Sequence, residues 1–373
     1  MKARLAITKC PDYDSQRVLS SVRRAIELAG GIGSFIRPHS KVLVKPNLLM
    51  ASSPDAGIVT HPEVVRAVIR ILKETGCRVY LGDGPSVWGK EAENLDNVYE
   101  QTGIKAVARQ EQVELVRFDK RRWRGKFPLT TWLDDCDGFV SIPKFKTHSL
   151  TTLTAGIKNL YGLVSGTYKT ELHKKYFEKE DFAGILVDIY EIAKPSLTVV
   201  DAITAMEGEG PGTSGKTLDL GLVLAGSDCL AIDSVLATIA GLKPEDILTN
   251  KEAARRGLGA WQLDSIEIAG EKLTDIGIRP FILPAAAISR RMIPKPIVDF
   301  LKNRLKFYPL IDHKLCVRCG VCAQICPQKV IVMRNNRMTI DYRNCISCFC
   351  CQESCPHAAI RIRKSLVARI AGL

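Results

Sequence analysis

An α/β fold, with a mostly parallel sheet covered by helices, is predicted for residues 1–284 of this 373-residue chain, followed by a small C-terminal α+β module. Three observations predict it. Strand-like and helix-like runs alternate through the first 284 residues. The strand-like runs, such as KVLVKP and GFVSIP, are apolar along their length. Nine of the 13 cysteines fall between positions 316 and 355. Apolar strands separated by amphipathic helices are the pattern of a sheet buried on both faces.

ARLAITK opens the chain as a strand, and Ser15–Ala29 reads as a helix stopped by Gly30 and Gly31. KVLVKP is the second strand. Thr60-His-Pro-Glu63 matches a capping box that opens the helix EVVRAVIRILKETG, which Gly76 closes. CRVYLGDG, VELVRF (113–118) and GFVSIP read as three further strands. The segment KFKTHSLTTLTAGIKNLYGLVSG (144–166) has neither strand alternation nor a helical stripe, and reads as a long basic loop punctuated by glycine. A helix over 182–193, strands SLTVVDA and LDLGLVLAG, and a helix over 229–240 complete the domain. Pro294 and Pro296 break the next segment and several lysines charge it, which predicts a linker over 285–308 with a short amphipathic helix near 297–307. Its basic face suits packing between the domains or contact with a membrane surface.

CVRCGVCAQICP and CISCFCCQESCP are two copies of C-x2-C-x2-C-x3-C-P, the bacterial ferredoxin spacing, in which the fourth cysteine of each copy serves the other copy's cluster. Cys316, Cys319, Cys322 and Cys355 are thereby assigned to one [4Fe–4S] cluster. Cys345, Cys348, Cys351 and Cys326 are assigned to the second, within a ferredoxin-like domain over 309–373. Cys350 is left over as a spare thiol. The isolated Cys10, Cys77, Cys136 and Cys229 sit among apolar residues and read as small buried side chains.

The net charge of +13 is concentrated at the end: residues 285–373 carry 16 Lys+Arg against 4 Asp+Glu. Two oxidised clusters, each of charge about −2, would offset about a third of that excess. The rest suits an acidic electron donor or acceptor protein. Nucleic acid is disfavoured, because no aromatic stacking pattern accompanies the charge. The charged N-terminus MKARLAITKC does not read as a signal peptide, no apolar run reaches membrane-spanning length, and the expected location is cytoplasmic.

In open α/β sheets ligands bind beyond the carboxyl ends of the strands. Lys45 and Asn47, Asp83, the set Lys144, Lys146 and His148, Asp201, and the pair Ser227 and Asp228 are all expected on that rim. Glu207 and Glu209, in MEGEGPGTSG, would form a mobile flap or a cation site. No Walker, dinucleotide or nucleophile-elbow signature is present. The lysines of 144–166, Lys158–Asn159 among them, suit an anionic small molecule, with Gly156 and Gly162 admitting backbone donors.

KPNLL, THPEVV, GDGPS, PKFKTH, GIKNLYG, VVDAITAMEGEGPGTSG and AGSDCLAID together resemble the uncharacterised family known as domain of unknown function 362, which is often fused to a two-cluster ferredoxin module. That resemblance implies no reaction. The spacing of His148, Lys158 and His173 around TAGIKNLYG also resembles the lactate racemase family. It implies His148 as a metal ligand or base, Lys158 as an attachment point for a nickel pincer cofactor, and His173 as a second ligand. The glycine run is sparser here than in that family's loop. The expected function is a ferredoxin-fused oxidoreductase acting on an anionic small molecule, with Lys158, His148 and Asp201 catalytic. The alternative is an electron-transfer or cofactor-assembly accessory without turnover. Two [4Fe–4S] clusters are expected, with a second metal or tethered cofactor in the α/β domain as the racemase resemblance implies.

Overall fold

The computed structural model describes residues 2–85, 91–166, 168–278, 280–288 and 307–364. The strands of the first domain are β1 (Ala3–Lys9), β2 (Lys41–Pro46), β3 (Arg78–Leu81), β4 (Glu114–Leu115), β5 (Arg121–Arg124), β6 (Phe127–Thr130), β7 (Gly138–Ile142), β8 (Lys144–His148), β9 (Thr152–Thr154), β10 (Leu197–Gly208), β11 (Gly215–Gly226) and β12 (Ile266–Gly270). All but the β5–β6 hairpin join one ten-stranded sheet of order β12-β1-β11-β10-β7-β2-β3-β4, with β8 and β9 appended through β10. The neighbours of β11 are antiparallel to it, as β9 is to β8. The remaining pairings are parallel, so the sheet is mostly parallel as expected.

Both faces are covered. Val42 and Val44 of β2 pack into one core with the helices Ser15–Ala29 and Pro62–Glu74, while Leu43 between them points into the opposite core with the helix Lys179–Ala193. In β1, Ala6 faces the first core and Leu5 and Ile7 face a third, built against the helix Cys229–Ile239. Each fully buried Val or Leu contributes about 1.5–3 kcal/mol relative to exposure. That is why these strands carry no polar alternation. Asp14 caps the helix Ser15–Ala29 by accepting the Gln16 and Arg17 N–H groups, and Gly30, at φ 134°, ends it.

Three local expectations are corrected. Thr60 does not cap the following helix: Pro62 occupies the first helical position, so His61 becomes the cap and its Nδ1 accepts the Glu63 N–H at 3.2 Å. Thr60 Oγ1 instead donates to the Ile142 carbonyl at 2.6 Å and accepts from the Asn47 N–H at 2.8 Å. The fourth strand shrinks from 113–118 to Glu114–Leu115. The largest correction is 144–166, which is not an open loop. It forms β8, β9, a short helix Gly156–Asn159 and a 3-10 turn Leu160–Leu163, and all five residues of β8 are buried.

The C-terminal module pairs β13 (Phe307–Ile311) with β16 (Ile360–Lys364), and β14 (Ile331–Arg334) with β15 (Arg337–Ile340), around a core that includes Cys322, Cys351 and Cys355. It rests on the tip of the β10–β11 hairpin. Thr213 Oγ1 donates to the Cys355 carbonyl at 2.7 Å, and Gln352 Nε2 donates to the Glu209 carbonyl at 2.9 Å. A Cβ on Gly212 would strike the Glu353 carbonyl oxygen, so this glycine sets how closely the module approaches. Gly212→Ala is expected to loosen the module from the hairpin without loss of iron, read as faster proteolytic separation of the two parts; equal cleavage rates would refute that role. The helix expected near 297–307 lies outside the described residues except at Phe307, which opens β13 instead, and among the described residues no helix is long and apolar enough to cross a membrane.

Candidate functional site

Because β2, β3 and β7 run parallel, their carboxyl ends share one edge of the sheet. There Lys45 Nζ meets Asp83 Oδ1 at 2.7 Å and donates to Asn159 Oδ1 at 3.1 Å. Asn159 Nδ2 in turn donates to Ser141 Oγ at 2.9 Å. Asp83 also accepts the Leu48 and Gly84 N–H groups at 2.7 and 2.8 Å, so its carboxylate is fully engaged. Asn47 keeps its buried side-chain oxygen without a hydrogen-bond partner. A Cβ on Gly162 would collide with Asp83 Oδ1 and the end of Lys45. Gly162→Ala is therefore expected to destabilise the protein by about 1–3 kcal/mol, the usual cost of overpacking, measured by urea unfolding.

A second buried pair lies beside the first. Lys144 Nζ donates to Asp201 Oδ2 at 2.9 Å and to Tyr13 Oη at 2.7 Å, and Tyr13 Oη donates to Asp201 Oδ1 at 2.9 Å. The His61 N–H donates to Asp201 Oδ2 at 2.9 Å, and its ring stacks on Tyr13 with centroids 3.6 Å apart. The β8–β10 register explains the encounter, since Asp201 and Lys144 are direct partners across the strands. Sequence reading missed Tyr13 and His61. His61 stands in THPEVV and could have been weighed; nothing marks Tyr13.

The third group is the densest. His148 meets Glu353, a residue of the second cysteine motif, with Lys146 and Lys158 in electrostatic range of that carboxylate and His173 in range of Lys158. His148 Nε2 lies 3.5 Å from Glu353 Oε1, an oxygen that makes no hydrogen bond. His148 Nδ1 accepts the Leu150 N–H at 3.1 Å, so the neutral ring carries its proton on Nε2, facing Glu353. Lys146 donates to the Ile58 carbonyl. Lys158 is half-buried, with its ammonium 5.6 Å from the Tyr161 ring centroid and 6.0 Å from that of Phe182. His173 stacks on Phe182 at 4.4 Å. Asp233 sets the position of Lys158 by accepting the Gly156 and Ile157 N–H groups at 2.6 and 3.0 Å at the start of the short helix. Sequence reading quoted Asp233 in AGSDCLAID without assigning it.

Burial dominates the charge states here. It pulls Lys146 well below the ordinary lysine range, with Lys158 and Lys144 adding repulsion. It lowers Lys158 against the attraction of Glu353. It pushes the Glu353 carboxyl up to about 7, opposed by Lys158 and Lys146. His173 falls to about 3 and His61 to about 4, both through burial. A lowered histidine binds fewer protons folded than unfolded, so its contribution is intact above the unfolded value near 6.5 and is lost as pH falls toward the folded value. Between pH 6 and 4, stability should therefore drop by about 1.4 kcal/mol per pH unit for each such histidine. His173→Phe, which keeps the stack on Phe182, should flatten the acid limb by one proton in pH-dependent urea unfolding; an unchanged slope would refute the assignment.

Three expected members sit elsewhere or are otherwise engaged. Glu207 Oε2 accepts the Ile282 N–H at 3.0 Å and Glu209 Oε1 accepts the Ala285 N–H at 2.8 Å, so MEGEGPGTSG is the end of a hairpin tied to 282–285 rather than a flap. Asp228 leaves the rim because β11 runs antiparallel and ends at the opposite edge, where Asp228 caps the helix Cys229–Ile239. Among the described residues no three His, Cys, Asp or Glu side chains draw together around a single metal ion.

The eight assigned cysteines line two cavities. One is bordered by Cys316, Cys319, Cys322 and Cys355. The other is bordered by Cys326, Cys345, Cys348 and Cys351. The crossing of the fourth cysteines is thus built into the fold. Four thiols lining one space, in the ferredoxin spacing, are the donor set of a cubane cluster. The Ala359 N–H donates to Cys355 Sγ at 3.3 Å, as sulfur ligands of clusters are often bonded.

Comparison with known proteins agrees. Residues 308–356 match the 4Fe-4S dicluster domain family, and residues 42–238 match the family described as domain of unknown function (DUF362). The chain belongs to the DUF362 family. One relative, the thylakoid-associated protein sll1697 of Synechocystis, is 31% identical over 261 residues, 68% of this chain and 79% of that protein. Among solved structures, the lactate racemase apoprotein of Thermoanaerobacterium thermosaccharolyticum aligns over 65% of this chain and 58% of its own length, at 14% identity and a TM-score of 0.40. In this DUF362 protein the iron–sulfur module and the family domain share one contact zone, because Glu353 lies between Cys351 and Cys355 yet points among the lysines of β8 and the short helix.

Proposed function

We propose that this DUF362 protein is an oxidoreductase that holds an anionic small molecule between Lys146, Lys158 and His148 and exchanges electrons with it through two [4Fe–4S] clusters. The observation that carries the reading is the placement of Glu353. The loop that supplies three ligands of the second cluster also brings Glu353 to His148, beside the basic side chains that would hold the ligand. Bound clusters supply transfer of one electron at a time.

The chain's own residues account for binding. Among the described residues neither the buried Lys146 nor the half-buried Lys158 forms an ion pair, and a cation withdrawn from water without a partner is costly. An anion entering the pocket would restore their charge and fill the role that Asp83 and Asp201 play for Lys45 and Lys144. The His148 Nε2 proton is aimed at the same space. A two-electron reduction of the ligand would draw two electrons from an external donor protein and two protons from groups of this kind.

The direct test is equilibrium dialysis of the anaerobically reconstituted full chain against inorganic phosphate and a series of mono- and dicarboxylates, beside Lys158→Met with the same iron content. Saturable binding weakened about tenfold in the variant is expected, in line with loss of a charge-assisted contact. Absence of saturable binding across the series, or equal binding by the variant, would sink the reading.

A further inference from the structure

The two clusters differ in what surrounds their cysteines. Around the second cavity Cys351 and its neighbours Phe349, Cys350, Gln352 and Glu353 are buried against the α/β domain. Around the first, Cys319 is exposed, the one exposed cysteine among the described residues. Beside it stand Leu315 and Val317, apolar side chains left 42% and 55% exposed. Lys314, Arg318 and His357 surround them, all exposed. The described part of the module contains three carboxylates, and none is free on this face. Asp312 is held by Arg361 at 3.1 Å, Glu353 is buried, and Asp341 is exposed on the groove beside the second cavity.

We propose that the rim formed by Leu315, Val317, Lys314 and Arg318 is the docking surface for an acidic one-electron carrier protein, which passes its electron to the chain at the Cys319 side. Among the described residues of the module, the face has an apolar centre, a cationic border and no competing free carboxylate, which is the complement of an acidic carrier with a small apolar patch. In each encounter the reduced carrier loses one electron and the chain gains one, with no bond made or broken. Beside the second cavity β14 exposes Val332 and Met333 next to Lys329 and Arg334, but that groove also carries the exposed Asp341, which an acidic carrier would meet as a like charge, so uptake at the first cavity is favoured and sets a direction toward the α/β domain. This inference goes beyond the anion site and survives if that site fails, because it rests on the module alone.

The test uses the reconstituted full chain and an acidic flavodoxin. Titration calorimetry with oxidised flavodoxin at low salt reads binding, and stopped-flow mixing with reduced flavodoxin reads transfer. Binding is expected to weaken as salt is raised. Lys314→Glu combined with Arg318→Glu should weaken it about tenfold or more and slow transfer in parallel, at unchanged iron content. Lys329→Glu combined with Arg334→Glu, on the groove beside the second cavity, should alter neither by more than about twofold. Loss with the second pair and not the first would move docking to that groove and overturn the proposal. Binding that is absent, or indifferent to salt and to both pairs, would overturn it as well. Phosphate dialysis of the same variants keeps this outcome separate from the anion site, since neither pair touches it.

Discussion

Asp201→Ala is expected to lower folding stability by about 3–5 kcal/mol, the typical loss when one partner of a buried ion pair is removed. The magnitude follows from what Asp201 satisfies. Its two oxygens take the Lys144 ammonium, the Tyr13 hydroxyl and the His61 N–H, all inside a site with no solvent exposure for either charged side chain. Removing the carboxylate strands a buried ammonium and a phenol at once. In urea the midpoint should fall with little change in slope. Lys144→Met added to Asp201→Ala should recover part of the loss, because the uncompensated charge is then gone. A single variant as stable as the wild type would mean that the pair is not ionised, and that β8 is held by its strand pairing alone.

That pair also shows what the sequence could and could not disclose. β2 was legible because Val42, Leu43 and Val44 are apolar on both faces, which only a covered sheet requires. The cysteine assignment was legible because the repeated motif matches the bacterial ferredoxin pattern, in which the fourth cysteine of each copy serves the other cluster, and the two cavities have that membership. The segment 144–166 was misread because its polar residues look solvated until their partners are known. Those partners are Asp201, Lys45, Asp233 and Glu353, dozens to hundreds of residues away in sequence. A buried lysine opposite a buried aspartate leaves no periodic trace. Asp228 was placed on the wrong edge because the direction of β11 is a property of topology, which a run of apolar residues does not encode. Glu353 was hidden most thoroughly. Within CCQESCP it reads as spacer between ligands, and only the docking of the module turns it toward Lys158 and Lys146.

Glu353→Gln is expected to strengthen binding of an anionic probe by about tenfold, the opposite sign to Lys158→Met. With no ligand present, Glu353 is the carboxylate nearest the two lysines that lack ion pairs, and it shields them incompletely from across the domain contact. Above pH 7, where a carboxyl raised to about 7 is ionised, a second anion beside the same lysines would face that carboxylate. Two unit charges about 5 Å apart repel by roughly 3 kcal/mol at an effective dielectric constant near 20, so relief of even half of that repulsion gives the expected factor. Glutamine keeps the shape and leaves an oxygen toward the lysines, and iron content should not change. Combining Glu353→Gln with Lys158→Met should return affinity to no better than that of Lys158→Met alone, since the gain exists only where an unpaired ammonium remains to be neutralised. If Glu353→Gln instead weakened binding, the carboxyl would be a hydrogen-bonding contact of the ligand. Glu353 would then belong to the binding set, and the pocket would select a ligand carrying a donor beside its negative charge.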